Sequence, residues 1–214
     1  YRELTIPKVR ELCQRLDVEH VVVSFQEVAD LNLDDMVGRT DEREACTYCG
    51  VFRRRCLNLK AKELGVDALA LGHNLDDMAQ SILMNFMRGD VERLARLGPH
   101  ERTQPGLVPR VQPLRTIPEK ETFLYAMLNE LPFSDAECPY AVHALRNEYR
   151  KIVDDMEFKH PGTRHSILGS YDRLRPLMRD GFPQAILKEC ACGEPTLNER
   201  CMACEMMVKM RKGF

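Results

Sequence analysis

No run of apolar residues in the sequence is long enough to span a bilayer, and there is neither a secretory leader pattern nor a lipidation motif. A membrane-spanning role is excluded on that count, and the expectation is a soluble intracellular chain acting in the cytoplasm without a membrane partner. Net charge is also small, formally -2 at pH 7. That balance hides basic segments at Arg53 to Arg55 and Arg146 to Lys151, so a polyanionic partner stays open. No G-x-x-x-x-G-K-[ST] motif or other glycine-rich phosphate loop occurs. What is present is ordinary for a globular protein: 214 residues, 44% hydrophobic and 30% charged, enough for one large or two small domains. Nine cysteines are many for such a chain. In a reducing compartment they point to metal binding or catalysis before disulfides.

Two of them sit in Ala45-Cys46-Thr47-Tyr48-Cys49-Gly50-Val51-Phe52-Arg53-Arg54-Arg55, a C-x-x-C pair running into a basic triplet. If Cys49 lies in the first turn of a helix, Arg53 is at i+4 on the same face, with guanidinium beside sulfur. The positive end of the helix dipole acts in the same direction and favours the thiolate. Spacing alone fits a redox pair or half of a zinc site as well as a reactive cluster.

Pro7 and the apolar positions Val9, Leu12, Cys13 and Leu16 predict an early helix with one buried stripe. His20 to Phe25, centred on Val21-Val22-Val23, predicts a buried strand. Asp30 to Glu44 reads as a polar loop with a short helix around Asp34 to Val37. The helix after the cysteine pair should run to Leu64 and stop at Gly65, with Cys56, on roughly the face of Cys49, a small buried thiol or else a further ligand. A short strand at Asp67 to Gly72 follows, and strand, helix, strand in this order signals a parallel α/β sheet.

Leu71-Gly72-His73-Asn74-Leu75-Asp76-Asp77 is the second anchor. A strand ends at Gly72 and a helix starts at about Asn74, so these polar groups project from the carboxyl end of a strand, where open α/β sheets bind ligands. Asp76 and Asp77 also complement the helix dipole, and His73 fits a structural hydrogen bond equally well. Gly98 to Pro113 predicts a surface loop, with a short strand around Leu107 to Leu114. Glu119 to Leu131 predicts a helix with Phe123, Met127, Leu128 and Leu131 inward. Cys138 follows in a loop and by itself reads as a buried thiol. Ala141 to Lys159 predicts a basic amphipathic helix whose His143, Arg146, Arg150 and Lys151 suit the phosphates of a polyanion or simply a solvated face, and Arg164 to Met178 a further helix. The tail carries Cys190, Cys192, Cys201 and Cys204 as C-x-C-x8-C-x-x-C, a closed tetrahedral zinc site in a segment with little core of its own.

Together the Cys46 to Arg55 stretch, the strand and the Gly72 to Asp77 motif resemble the tRNA 2-thiouridine synthetases, sulfur transferases of the PP-loop ATP-pyrophosphatase (adenine nucleotide alpha hydrolase-like) fold. The likeness continues at Glu137-Cys138-Pro139-Tyr140-Ala141 and Pro161-Gly162-Thr163, and its wording is nearest the archaeal and eukaryal wobble-uridine branch. It implies an α/β fold with a parallel sheet, a catalytic unit over residues 1–185 and a zinc-ribbon-like unit over 186–214. It further implies a [4Fe-4S] cluster on Cys46, Cys49 and Cys138, with a fourth iron free to carry sulfide. Catalytic roles fall on Asp77 and Arg53, and ATP with Mg²⁺ near Gly72, His73, Asn74, Asp76 and Asp77. The implied reaction adenylates the uridine C2 oxygen and then displaces AMP with sulfur. The partners would be tRNA and a sulfur donor (sulfide, a desulfurase persulfide or a ubiquitin-like thiocarboxylate carrier), with a homodimer by analogy.

The family's serine-glycine-glycine phosphate loop and amino-terminal zinc module do not occur in these residues. The expectation is an amino-terminal loss, with Tyr1 falling inside an early helix. A tRNA- or partner-binding homologue without ATP chemistry, and a zinc-only or thiol-redox protein, are the alternatives.

Overall fold

The computed structural model describes residues 2–39, 41, 44–98, 104–182 and 186–212. Part of the expected 98–113 loop, residues 99–103, lies outside them, as does the side chain of His143.

Helix α1 covers Arg2–Arg15, with Pro7 inside it rather than in its first turn. The expected stripe is only half covered: Leu12 and Cys13 are part-buried, whereas Val9 and Leu16 are exposed. The contacts that hold α1 are polar, from Lys8 Nζ to the carbonyl of Phe133 and from Arg15 Nη1 to that of Glu130 at 2.9 Å. The strand expected at His20 to Phe25 does not form. A strand needs a neighbouring ladder, and no described strand pairs with this one. Instead Ser24 and Glu27 form a capping box. Ser24 Oγ accepts from the Glu27 amide at 3.2 Å and Glu27 Oε1 from the Ser24 amide at 3.1 Å, starting α2 at Phe25–Ala29. A second capping box, Asn32 with Asp35, starts α3 at Leu33–Gly38.

Helix α4, Ala45–Glu63, is the central rod. Gly65 follows its end at φ 62°, the left-handed conformation that stops a helix and that glycine takes without strain. Strand β1 (Leu69–Ala70) pairs in parallel with β2 (Arg110–Val111), Leu69 opposite Arg110. The Leu69 and Leu71 amides extend the ladder to the carbonyls of Pro109 and Val111. Between the strands run α5 (Leu75–Met87) and α6 (Val91–Arg96), the latter not anticipated from sequence.

Helix α7 spans Glu119–Leu128 and buries none of its residues. Phe123, Met127 and Leu128, expected inward, are 51%, 51% and 74% exposed. Its apolar residues, with Leu124 and Tyr125, run around the helix instead of along one stripe, so no single face is marked for burial. Cys138 lies in a loop that leads into a 3-10 turn at Pro139–His143. The next helix, α8, therefore begins at Arg146 and ends at Lys159. Helix α9 covers Thr163–Gly181, behind Gly162 at φ 94°. The chain closes with an antiparallel hairpin, β3 (Lys188–Glu189) and β4 (Pro195–Thr196), and α10 (Met202–Lys212).

Two hydrophobic clusters organise these elements. One joins α2, α3, α4 and α10, with Met36, Tyr48, Phe52, Met206 and Met210 packed against Cys190 and Cys201, so the tail buries itself on α4. The other joins α5, α6 and α9 through Leu75, Met78, Leu94, Leu168 and Tyr171. There the Tyr171 hydroxyl donates to the carbonyls of Leu94, at 2.8 Å, and Leu97.

Candidate active site and metal centre

Cys46 and Cys49 occupy the first turns of α4, whose amino terminus has no side-chain cap. Its leading amides leave partial positive charge beside the thiols. Arg53 Nη2 donates to Cys49 Sγ at 3.1 Å, the i+4 pairing that the sequence spacing predicts. The 3-10 turn after Cys138 packs against α4 and brings the third thiol to the pair. Cys46 lies at the surface, yet partial burial of its thiol pushes its pKa up. Neighbouring Cys49 and Cys138 push it further in that direction, and Arg53 and Arg146 pull it down. These five side chains thus share one electrostatic environment. The three thiols do not all come within 4.8 Å of one another.

Asn74 and Asp77 start α5 with a reciprocal cap. Asp77 Oδ2 accepts from the Asn74 amide at 3.2 Å, and Asn74 Oδ1 from the Asp77 amide at 2.9 Å. The remaining oxygen, Asp77 Oδ1, accepts from Arg146 Nη1 at 3.0 Å, while Arg146 Nη2 reaches Ser81 Oγ at 3.1 Å. Asp77 is therefore both a helix cap and the partner of a guanidinium that faces the thiols. Asp76 is turned elsewhere and buried. Its Oδ2 accepts from the Glu119 amide at 2.7 Å and its Oδ1 lies 2.8 Å from Arg164 Nε, an ion pair whose N–H is not aimed along the contact. His73 Nδ1 is 3.4 Å from Gln112 Nε2, and a side chain at Gly72 would meet open space.

The four tail cysteines converge, with all four sulfurs within 4.8 Å of one another. Cys190 and Cys204 are 3.9 Å apart and Cys192 and Cys201 3.5 Å. A tetrahedral ion with metal–sulfur bonds of about 2.3 Å sets its ligands about 3.8 Å apart, so donor type and spacing both fit a closed single-ion site. Backbone amides of Cys192 and Cys201 lower the Cys190 pKa. Burial raises that of Cys192, but the Arg55 hydrogen bond and a backbone amide outweigh it and bring it down to about 6.

Of the side chains singled out in the sequence, the structure brings together Cys46, Cys49, Cys138, Arg53, Asp77 and, separately, the four tail cysteines. Asp76 does not join them. Among the basic residues read as either phosphate contacts or a solvated face, Arg150 pairs with Glu119 at 3.3 Å and Lys151 with Glu148 at 3.6 Å, both at the surface. Arg146 turns inward to Asp77, a role that reading charges on a helix face does not reveal. Asn58 was also missed. It is buried, donates to the Gly106 carbonyl at 3.0 Å, and accepts from the Val108 amide at 3.1 Å. An asparagine on the core side of a long helix was the available signal.

No family model matches the chain. It is 39% identical over 219 residues to a Haloferax volcanii protein named tRNA 2-thiolation protein NcsA, covering 97% of this chain and 68% of that one. It is 32% identical to cytoplasmic tRNA 2-thiolation protein 1 of Xenopus laevis, with 100% and 62% covered. A Methanocaldococcus jannaschii relative named probable sulfurtransferase is 31% identical, with 99% and 63% covered. The chain thus spans 62% to 68% of the length of these curated relatives. Among solved structures it superposes on the U34-tRNA thiolase NcsA of Methanococcus maripaludis with its [4Fe-4S] cluster. The TM-score is 0.73 and the identity 40%, over 82% of this chain and 58% of that one.

Proposed function

The chain belongs to the family of tRNA 2-thiolation proteins, and from that membership we propose that its cysteine sites serve ATP-dependent 2-thiolation of a tRNA uridine, the wobble one, in the cytoplasm. The observation that carries this reading is the Arg53–Cys49 contact at 3.1 Å on the uncapped start of α4, with Cys138 and Arg146 beside it. Three thiols under the charge of two guanidiniums suit an iron-sulfur cluster that keeps one iron free of a protein ligand.

Cys46, Cys49 and Cys138 would hold a [4Fe-4S] cluster, which when bound supplies an iron without a protein ligand, able to carry the sulfur for transfer. Arg53 offsets the charge of the Cys49 thiolate and holds its sulfur in place. Arg146, anchored by Asp77 and Ser81, presents the second positive group, suited to the anionic adenylate that makes the uridine C2 oxygen a leaving group.

The first amides of α5 do not fit a triphosphate. Those of Asn74, Leu75 and Asp77 are taken by Asp77, the Ile117 carbonyl and Asn74. Both Asp76 oxygens are likewise engaged, so neither the triphosphate nor Mg²⁺ is assigned to the start of α5. Gly72 and His73 are assigned to the wall of the site. The catalytic unit is read as the PP-loop ATP-pyrophosphatase fold, supported by the parallel β1–β2 pair and by α5 starting just beyond β1. The tail unit is read as a structural zinc site, supported by its four thiols and their 3.5 and 3.9 Å spacings.

Anaerobic purification with iron, sulfide and zinc analysis tests the reading, comparing the protein with Cys138→Ala. About four irons and four sulfides per chain, lost in the variant while one zinc remains, is the expected result. Zinc alone in both proteins overturns it.

A further inference from the structure

The two cysteine sites lie on opposite sides of one helix. At 3.6 residues per turn, Cys46, Cys49 and Arg53 form one stripe of α4, and Arg55, Asn58 and Lys62 another about 180° away. Every member of the second stripe reaches the tail. Arg55 Nη1 donates to Cys192 Sγ at 3.0 Å and lies 3.9 Å from Cys201 Sγ. Asn58 Nδ2 is 3.5 Å from Glu194 Oε1. Lys62 Nζ donates to the Gly193 carbonyl at 3.3 Å. The stripe therefore grips the turn between Cys192 and β4 at three successive points.

Arg55 differs from the other two because it meets the ligand atoms themselves. Four thiolates around a divalent ion carry two net negative charges, and a part-buried guanidinium donating to one sulfur and close to another offsets them. Its Nε is buried without a partner, so the sulfur contacts are what orient the group. Along the helix, Arg55 is about 9 Å from Cys49. Tyr48 and Phe52, between them in sequence, pack in the same core as Cys190 and Cys201.

We propose that Arg55 is a positioning residue that couples the four-cysteine metal site to the Cys46–Cys49 pair on the far side of α4. The filled tail site orders the guanidinium, the guanidinium fixes the register and tilt of α4, and that fixes where the reactive pair stands relative to Cys138. This rests on the thiolation reading for the purpose of the pair, and on the geometry of α4 for the coupling itself.

The test uses the metal-loaded protein with Arg55→Met and Arg55→Lys. It reads zinc release to a chromogenic chelator and amide hydrogen exchange over residues 45–52. Loss of an outer-sphere partner is expected to weaken zinc retention about 10- to 100-fold in Arg55→Met, with at least about tenfold faster exchange at 45–52. Arg55→Lys, which keeps the charge but not the forked donor, should fall between, and it carries the comparison if Arg55→Met does not fold. Faster zinc release with unchanged exchange at 45–52 overturns the coupling, and so does no change in either. Iron content of the unmodified protein is measured alongside. Its absence would sink the thiolation reading while leaving the zinc and exchange results to decide the coupling.

Discussion

Replacing Asp77 separates a cap from a catalytic group, because the structure gives that carboxylate two distinct duties. Asp77→Ala removes the acceptor for the Asn74 amide and the partner of Arg146. The cap is worth about 1 kcal/mol. The ion pair, whose side chains are 41% and 31% exposed, adds at most about 1 kcal/mol after screening. For a chain of this size the total of about 1–2 kcal/mol lowers Tm by about 2–8 °C. Asp77→Asn keeps one carbonyl oxygen for the amide but loses the charge and the acceptor for Arg146, so it should cost only the ion-pair share and melt within about 4 °C of the parent. The assay pairs thermal unfolding by circular dichroism, at low and high salt, with single-turnover thiolation of a tRNA transcript. Only the Arg146 share of the stability loss should shrink with salt. If the charge that holds Arg146 at the thiols matters to the reaction, both variants lose about 100-fold in rate despite their different stabilities. An Asp77→Asn protein thiolating within about threefold of the parent would refute the reasoning and leave Asp77 a helix cap.

Two further outcomes follow from buried groups. Burial pushes the Tyr171 phenol up to about 12, so the folded chain keeps a proton that the unfolded chain releases near pH 10. Its contribution is then complete below pH 10 and is lost as pH rises toward 12. Tyr171→Phe should abolish that alkaline loss in urea melts and cost about 1–3 kcal/mol at neutral pH by taking the hydroxyl from the Leu97 carbonyl, the Leu94 carbonyl keeping the Leu97 amide; an unaltered alkaline profile would contradict it. Asp76→Ala should be far more damaging than Asp77→Ala, because it strips the buried Arg164 of one partner and the Glu119 amide of its acceptor. A loss of about 3 kcal/mol or more is expected in denaturant titrations, and a loss under 1 kcal/mol would show that Asp154, 2.5 Å from Arg164, suffices alone.

The parts legible in the sequence were those set by local chemistry. Helix α4 and its stop at Gly65, the start of α5 at Asn74, the Arg53–Cys49 pairing and the four converging tail thiols all depend on residues within a few positions or on fixed ligand spacing. The parts that were not legible depend on partners far along the chain. Val21 to Val23 has the composition of a strand, but a strand exists only beside another, and the Ser24–Glu27 cap won locally. Arg146 meets Asp77 across 69 residues and Arg55 meets Cys192 across 137. No periodicity records such meetings, so both arginines read as members of basic runs open to a polyanion or to solvent. Helix α7 misled for another reason: its apolar residues suggested burial without marking a face, and no described element covers them.

The two hydrophobic clusters give the proposed thiolation site an unusual address. Its cysteine pair rides on α4 in one cluster, while Asp77 and Arg146 belong to helices packed with the other. Each cluster can act as its own cooperative unit, opening while its neighbour stays intact. A fluctuation confined to either half therefore parts thiol from guanidinium without unfolding the molecule. Conversely, anything that binds across the seam draws on the stability of both halves, and its occupancy should protect amides in α5 and α9 as well as in α4.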